Sequence, residues 1–296
     1  MEIIWVLENV LKKRSFYNIP RVLLLVASVS LWRKYHPHHK TVLYCDEPTY
    51  RFLEEFNLLK LWDIIRSLSY PEKIDKIAFW SSCKTKIISE TKIPLVVVDH
   101  DFLIFKNIDN ILESNKVTYT YDEYGWNWYP KVDCEYNRKL STPIKHSPYA
   151  ANVSLFYLPN PKFANEYGKQ TLKNHEELTA MGCKETNFMI FSEQYMLKEW
   201  LVSRNIPHQT LNAHLFDNTK MKYSDEIHNI GVWSNKEASL SYKHYGVEEK
   251  YLTPEDCQYL IRCINAGKRV NGNKLLKSLL DEGYSYKLDL TLSGKG

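Results

Sequence analysis

The sequence predicts an α/β protein built on a mixed, mostly parallel sheet flanked by helices, and three observations carry that prediction. Ile93-Pro94-Leu95-Val96-Val97-Val98 is apolar without alternation, as in a strand covered on both faces. Strand-like and helix-like segments alternate through the first hundred residues, the pattern of parallel strands joined by right-handed crossovers. The chain also has 296 residues, 44% of them hydrophobic, enough for a full core.

Ile3-Ile4-Trp5-Val6-Leu7 reads as the first strand. Pro20 opens a helix that runs to about Lys34, because proline at the first helical position sacrifices no hydrogen bond. Its apolar run, Val22 to Trp32, is 11 residues, too short for a bilayer and read as a buried helix. His36-Pro37-His38-His39 then reads as a solvated loop. Thr41-Val42-Leu43-Tyr44-Cys45 is the second strand, and Asp46-Glu47-Pro48 starts a helix that buries Phe52, Phe56 and Leu59. A further helix over 79–90 returns the chain to the valine strand.

Beyond residue 110, residues 117–121 look like a strand, followed by an aromatic loop over 121–130. Asn152-Val153-Ser154-Leu155-Phe156-Tyr157-Leu158 is a buried strand, so its Asn-x-Ser sequon reads as fortuitous. A helix bearing Phe163 and Tyr167 follows it. A longer helix over 186–204 places Ile190, Gln194, Leu197 and Leu201 on one stripe, which puts a polar Gln194 on an apolar face. Residues 227–233 suggest another strand, the chain beyond Thr253 one or two helices, and Ser293-Gly294-Lys295-Gly296 a disordered end.

The valine strand runs directly into Asp99-His100-Asp101. If the extended conformation continues, the two carboxylates point to one side and repel unless a cation lies between them. A divalent ion with phosphate oxygens as further ligands is the natural partner. A turn cap and a solvated acid are the plainer reading of the same residues.

A net charge of +4, with both signs interspersed, gives no nucleic-acid footprint. The six cysteines form no Cys-x-x-Cys pair, so neither a zinc site nor a disulfide framework is implied, and a reducing compartment fits.

In these residues the chain resembles the GT-A class of nucleotide-sugar glycosyltransferases. The resemblance rests on Val96-Val97-Val98-Asp99-His100-Asp101, on Phe79-Trp80-Ser81-Ser82-Cys83-Lys84 just upstream, on Tyr149-Ala150-Ala151-Asn152-Val153, on Ser192-Glu193-Gln194, and on Tyr242-Lys243-His244-Tyr245-Gly246. It implies a Rossmann-like GT-A fold in a single domain, with a nucleotide-binding half over 1–110, an acceptor-side half over 111–251 and a helical segment over 252–296. Asp99, Asp101 and His244 would hold Mn²⁺ or Mg²⁺ on the donor diphosphate. Trp80, Lys84, Asp99, Asn152 and Lys243 would contact the donor, a UDP-sugar by preference, and Glu193 and Gln194 would face the carbohydrate acceptor. An inverting reaction needs a carboxylate base, for which Asp122, Glu123 and Glu193 are the candidates; a retaining one does not. The setting implied is a cytoplasmic enzyme of bacterial or viral type, without an integral membrane segment, that builds a polysaccharide. A phosphatase-like hydrolase and a non-catalytic carbohydrate-binding protein of the same fold are the alternatives.

Overall fold

The computed structural model describes residues 1–8, 18–124, 129–145, 149–211, 215–217, 242–244 and 252–286. In chain order the first elements are β1 (Glu2–Leu7), α1 (Ile19–Tyr35), β2 (Lys40–Cys45), α2 (Glu47–Glu55), β3 (Ile64–Ser67), α3 (Ser82–Glu90), β4 (Leu95–Val98), β5 (Phe102–Ile104) and α4 (Asp109–Leu112). Next come β6 (Val117–Tyr124), α5 (Glu135–Lys139), β7 (Ala150–Leu158), α6 (Pro161–Ala180), α7 (Asn187–Ile190) and, after a π turn over Phe191–Tyr195, α8 (Met196–Ser203). The last are β8 (His208–Thr210), β9 (Leu215–Asp217), β10 (Tyr242–His244), α9 (Pro254–Ala266) and α10 (Gly272–Asp281). The protein is thus α/β, with a mixed and mostly parallel sheet flanked by helices. No helix among the described residues is long and apolar enough to cross a membrane.

The chain divides into two compact units, each assembled from separate stretches. One holds Glu2–Leu68, Val98–Asp109 and the chain from Ile227 onward. In it β1 and β3 flank β2, and both pairings are parallel. Asn18 caps α1 by accepting the Arg21 N–H at 2.9 Å, with Pro20 in the first turn. The helix is buried from Val22 to Trp32, as its run of apolar residues requires. Trp5 on β1 donates its indole N–H to Ser28 of α1 at 3.1 Å, and a side chain at Gly267 would meet the Ser30 Cβ at 2.7 Å, so the end of α9 packs closely on α1. Arg33 grips Asp63 through two hydrogen bonds of 2.8 and 2.9 Å. Burial pushes the Asp63 carboxyl up, but the hydrogen bonds from Arg33 and Thr41 outweigh it and hold the group at about 2.

Several expectations for this unit are corrected. α2 stops at Glu55, and Phe56 and Leu59 are only half-buried. The chain turns at Asn57, whose φ of 53° is left-handed, and Leu58 and Leu61 fill the core instead. β3 was not legible: Ile64-Ile65-Arg66-Ser67 is four residues long and pairs on one side only. The histidine loop is not solvated throughout. His36 is fully buried, stacked 4.6 Å from Trp32 and 5.3 Å from His39, and His38 alone is open to water. Burial pulls the His39 imidazole down to about 4 and lowers His36 as well.

The other unit comprises Ser69–Val97 and Asn110–Glu226. Its strand order is β4-β7-β6-β8, with β9 also on β6. β7 is antiparallel to β6, while β8 and β9 are parallel to it. Every residue of β7 is buried, the polar Asn152 and Ser154 included. α6 lies close to α3: a Cβ at Gly168 would fall 2.6 Å from the Ser89 backbone nitrogen. The expected strand at 227–233 and the end at 293–296 lie outside the described residues.

Candidate active site

The Asp-x-Asp segment is not a continued strand. β4 ends at Val98, and the Phe102 N–H donates to the Asp99 carbonyl at 3.1 Å, closing a β-turn with His100 and Asp101 at its centre. The alternation expected to align the two carboxylates therefore breaks, since a turn between them replaces the pleat. Asp101 is 7% exposed, and Asp99 and His100 are half-buried. β5 leaves the turn and pairs antiparallel with β10. In that register His244 stands opposite Phe102 and Lys243 opposite Leu103. The late histidine is thus carried to the residue adjacent to Asp101, within the same compact unit.

The remaining expected residues lie in the other unit. Asp122 and Glu123 belong to β6 rather than to a loop, and residues 125–128 of the aromatic stretch lie outside the described residues. As neighbours on a strand they face opposite ways. Glu123 is buried and accepts from the Tyr129 hydroxyl at 2.7 Å and from the Asn152 amide at 2.6 Å. Asn152 pairs with Tyr121 across the ladder, so it meets Glu123 as a diagonal neighbour. Its carbonyl oxygen accepts from Ser154 at 2.8 Å, and Ser154 meets the Thr120 hydroxyl at 2.8 Å. Burial, with Glu123 beside it, pushes the Tyr129 phenol well above its ordinary value, so the hydroxyl remains a donor. Asn152 sits inside β7 at 6% exposure, which leaves its sequon no room for a glycan.

Asp122 turns the other way. Lys198 donates to it at 2.9 Å and to the Tyr119 hydroxyl at 2.7 Å, and that hydroxyl donates to Asp122 at 2.8 Å. Lys84 on α3 and Glu193 in the π turn form an ion pair of 3.2 Å, their side chains 9% and 2% exposed. The π turn accounts for a displaced expectation. The extra residue in its wider ring rotates the face that follows, so Glu193 points inward while Gln194 is half-buried, its Oε1 without a hydrogen-bond partner. Trp80, in the turn before α3, is 49% exposed.

Three groups were missed: Lys198, Tyr119 and Tyr129. Lys198 was within reach, since it lies one helical turn beyond Gln194 on a face already read as buried. The tyrosines carried no signal among so many.

Compared with protein-family models and with curated proteins, the chain matches none. The arrangement of its own residues is therefore what supports a functional reading.

Proposed function

We propose that the protein is a metal-dependent glycosyltransferase of GT-A type, moving a sugar from a nucleoside-diphosphate donor, a UDP-sugar by preference, to a hydroxyl of a carbohydrate acceptor. The observation that carries this reading is the β5–β10 ladder, because it brings His244 beside the Asp99-His100-Asp101 turn from the far end of the chain. Two carboxylates and an imidazole suit Mn²⁺, and the carboxylates alone suit Mg²⁺. Asp99, Asp101 and His244 would hold such an ion, which as a Lewis acid would stabilise charge on the departing diphosphate.

In the other compact unit the candidate acids are held in different ways. Lys84 holds the Glu193 carboxylate, and Tyr129 and Asn152 hold that of Glu123, so neither buried acid is poised to exchange a proton. Asp122 is a quarter exposed and is kept in place by Lys198 and Tyr119. It is the most exposed of the three candidate acids within its own unit.

The test is the melting temperature of the native chain and of Asp101→Asn with nucleoside diphosphates and nucleotide sugars, with and without Mn²⁺. A ligand at about a hundred times its Kd adds about 2.7 kcal/mol to folding stability. A rise of several degrees that needs both Mn²⁺ and one nucleotide, and is lost in the variant, is expected. No such rise with any donor, or one that survives Asp101→Asn, would remove the assignment.

A further inference from the structure

We propose that His38, His39 and Asp109 form a binding site for a transition-metal ion of the zinc class, separate from the Asp99-His100-Asp101 turn. All three lie in one compact unit, where the turn after α1 meets the start of α4. One potential ligand atom from each falls within 4.8 Å of the others. His38 Nε2 is 3.2 Å from Asp109 Oδ2, and His39 Nε2 is 3.3 Å from Asp109 Oδ1. Ligands about 2.1 Å from a tetrahedral ion stand about 3.4 Å apart, and each imidazole lies at about that distance from one of the two carboxylate oxygens. Only the two imidazoles need to draw together, and His38, at 62% side-chain exposure, has the freedom to do so.

The surroundings favour a cation over a plain histidine–aspartate pair. Asp109 Oδ1 is buried and has no hydrogen-bond partner although His39 lies beside it. A buried carboxylate oxygen without a donor is costly, and a metal ion removes that cost. The neighbouring groups also act as an outer layer that fixes the ligands. Asn107 donates to Asp109 Oδ2 at 2.6 Å and to the Tyr35 carbonyl at 3.0 Å, and its own oxygen accepts the Asp109 N–H at 2.7 Å. His39 stacks on His36, which stacks on Trp32 and accepts the Ile108 N–H at 3.0 Å. Asp109 is thus oriented by hydrogen bonds of the kind found around metal ligands, whereas the His39 ring is held by stacking and its Nδ1 makes no hydrogen bond. Two imidazoles and one carboxylate select a borderline ion such as Zn²⁺ over the harder Mg²⁺, and leave a fourth position for water. The ion would clasp the turn after α1 to the segment that follows β5.

The experiment is titration of the chelator-treated full chain with Zn²⁺ by calorimetry and with Co²⁺ by visible absorption. The native chain should bind an ion with the absorption of tetrahedral Co²⁺, and the stoichiometry of that signal should be one in Asp101→Asn as well. His38→Ala and Asp109→Asn should each weaken binding at least tenfold, and the double variant should abolish it, with unchanged circular dichroism. His38 is exposed and asparagine matches aspartate in shape, so both variants should fold. Asp101→Asn should leave this binding intact. Absence of stoichiometric binding, a double variant that binds as well as the native chain, or loss of binding only in Asp101→Asn would each overturn the site.

Discussion

Lys84 and Glu193 face each other at 3.2 Å where little water reaches either side chain. In such a place desolvation rivals attraction, and losing one partner is worse than losing both. Lys84→Met should therefore destabilise the fold by about 3–5 kcal/mol, whereas Lys84→Met with Glu193→Leu should recover most of that loss. Urea denaturation of the four proteins in the cycle measures it. A single-variant loss below about 1 kcal/mol would mean that the pair is screened like a surface bridge. Glu123 is held differently, by the neutral donors Tyr129 and Asn152. Tyr129→Phe should cost about 1–3 kcal/mol, because it withdraws a donor from a buried carboxylate.

Among the elements, α3 and α6 approach so closely that only a glycine fits between them. Gly168 is helical, and alanine there would ordinarily be favoured by about 1 kcal/mol. The added Cβ, however, would lie 2.6 Å from the Ser89 nitrogen and 2.8 Å from its Cα, and both are backbone atoms that cannot rotate aside. Gly168→Ala should therefore lower stability by about 1–3 kcal/mol, and thermal melting decides the sign. The π turn over Phe191–Tyr195 shows the same primacy of packing. Regular helical spacing puts Gln194 on the buried stripe, and one inserted residue gives that place to Glu193.

Across the whole molecule, acid should act through histidines buried in their neutral form. Burial draws His175 down to about 3 and His39 to about 4, both from 6.5, and lowers His36 as well. Below pH 6.5 the unfolded chain takes up protons that the folded chain refuses, so stability falls as pH drops from about 6.5 toward 4. The Asp63 carboxyl, held at about 2, stabilises the fold above its unfolded value of 3.8 and loses that effect only at lower pH, so the two windows are separate. Replacing His175, which meets the Ser82 hydroxyl at 2.9 Å, by phenylalanine should flatten the decline by up to about 1.4 kcal/mol per pH unit. Melting temperatures of both proteins from pH 7 to 5 test this, and parallel curves would exclude His175 as a source.

What the sequence by itself determined was the α/β class, the buried helix α1, strands β1, β2, β4 and β7, the helix α6 and the helical tail. Each is written in runs of apolar residues or, for α1, in a helix start at Pro20, and those act over a few residues. The acids at 99 and 101 and the late histidine were also legible as residue types. The folded chain alone sets that Asp99 opens a turn with Asp101 inside it, that β10 pairs with β5, that Glu193 meets Lys84, and that His38 and His39 converge on Asp109. Apart from that local turn, these contacts join segments far apart in the chain, and whether two such segments meet is set by packing, on which local spacing carries no information.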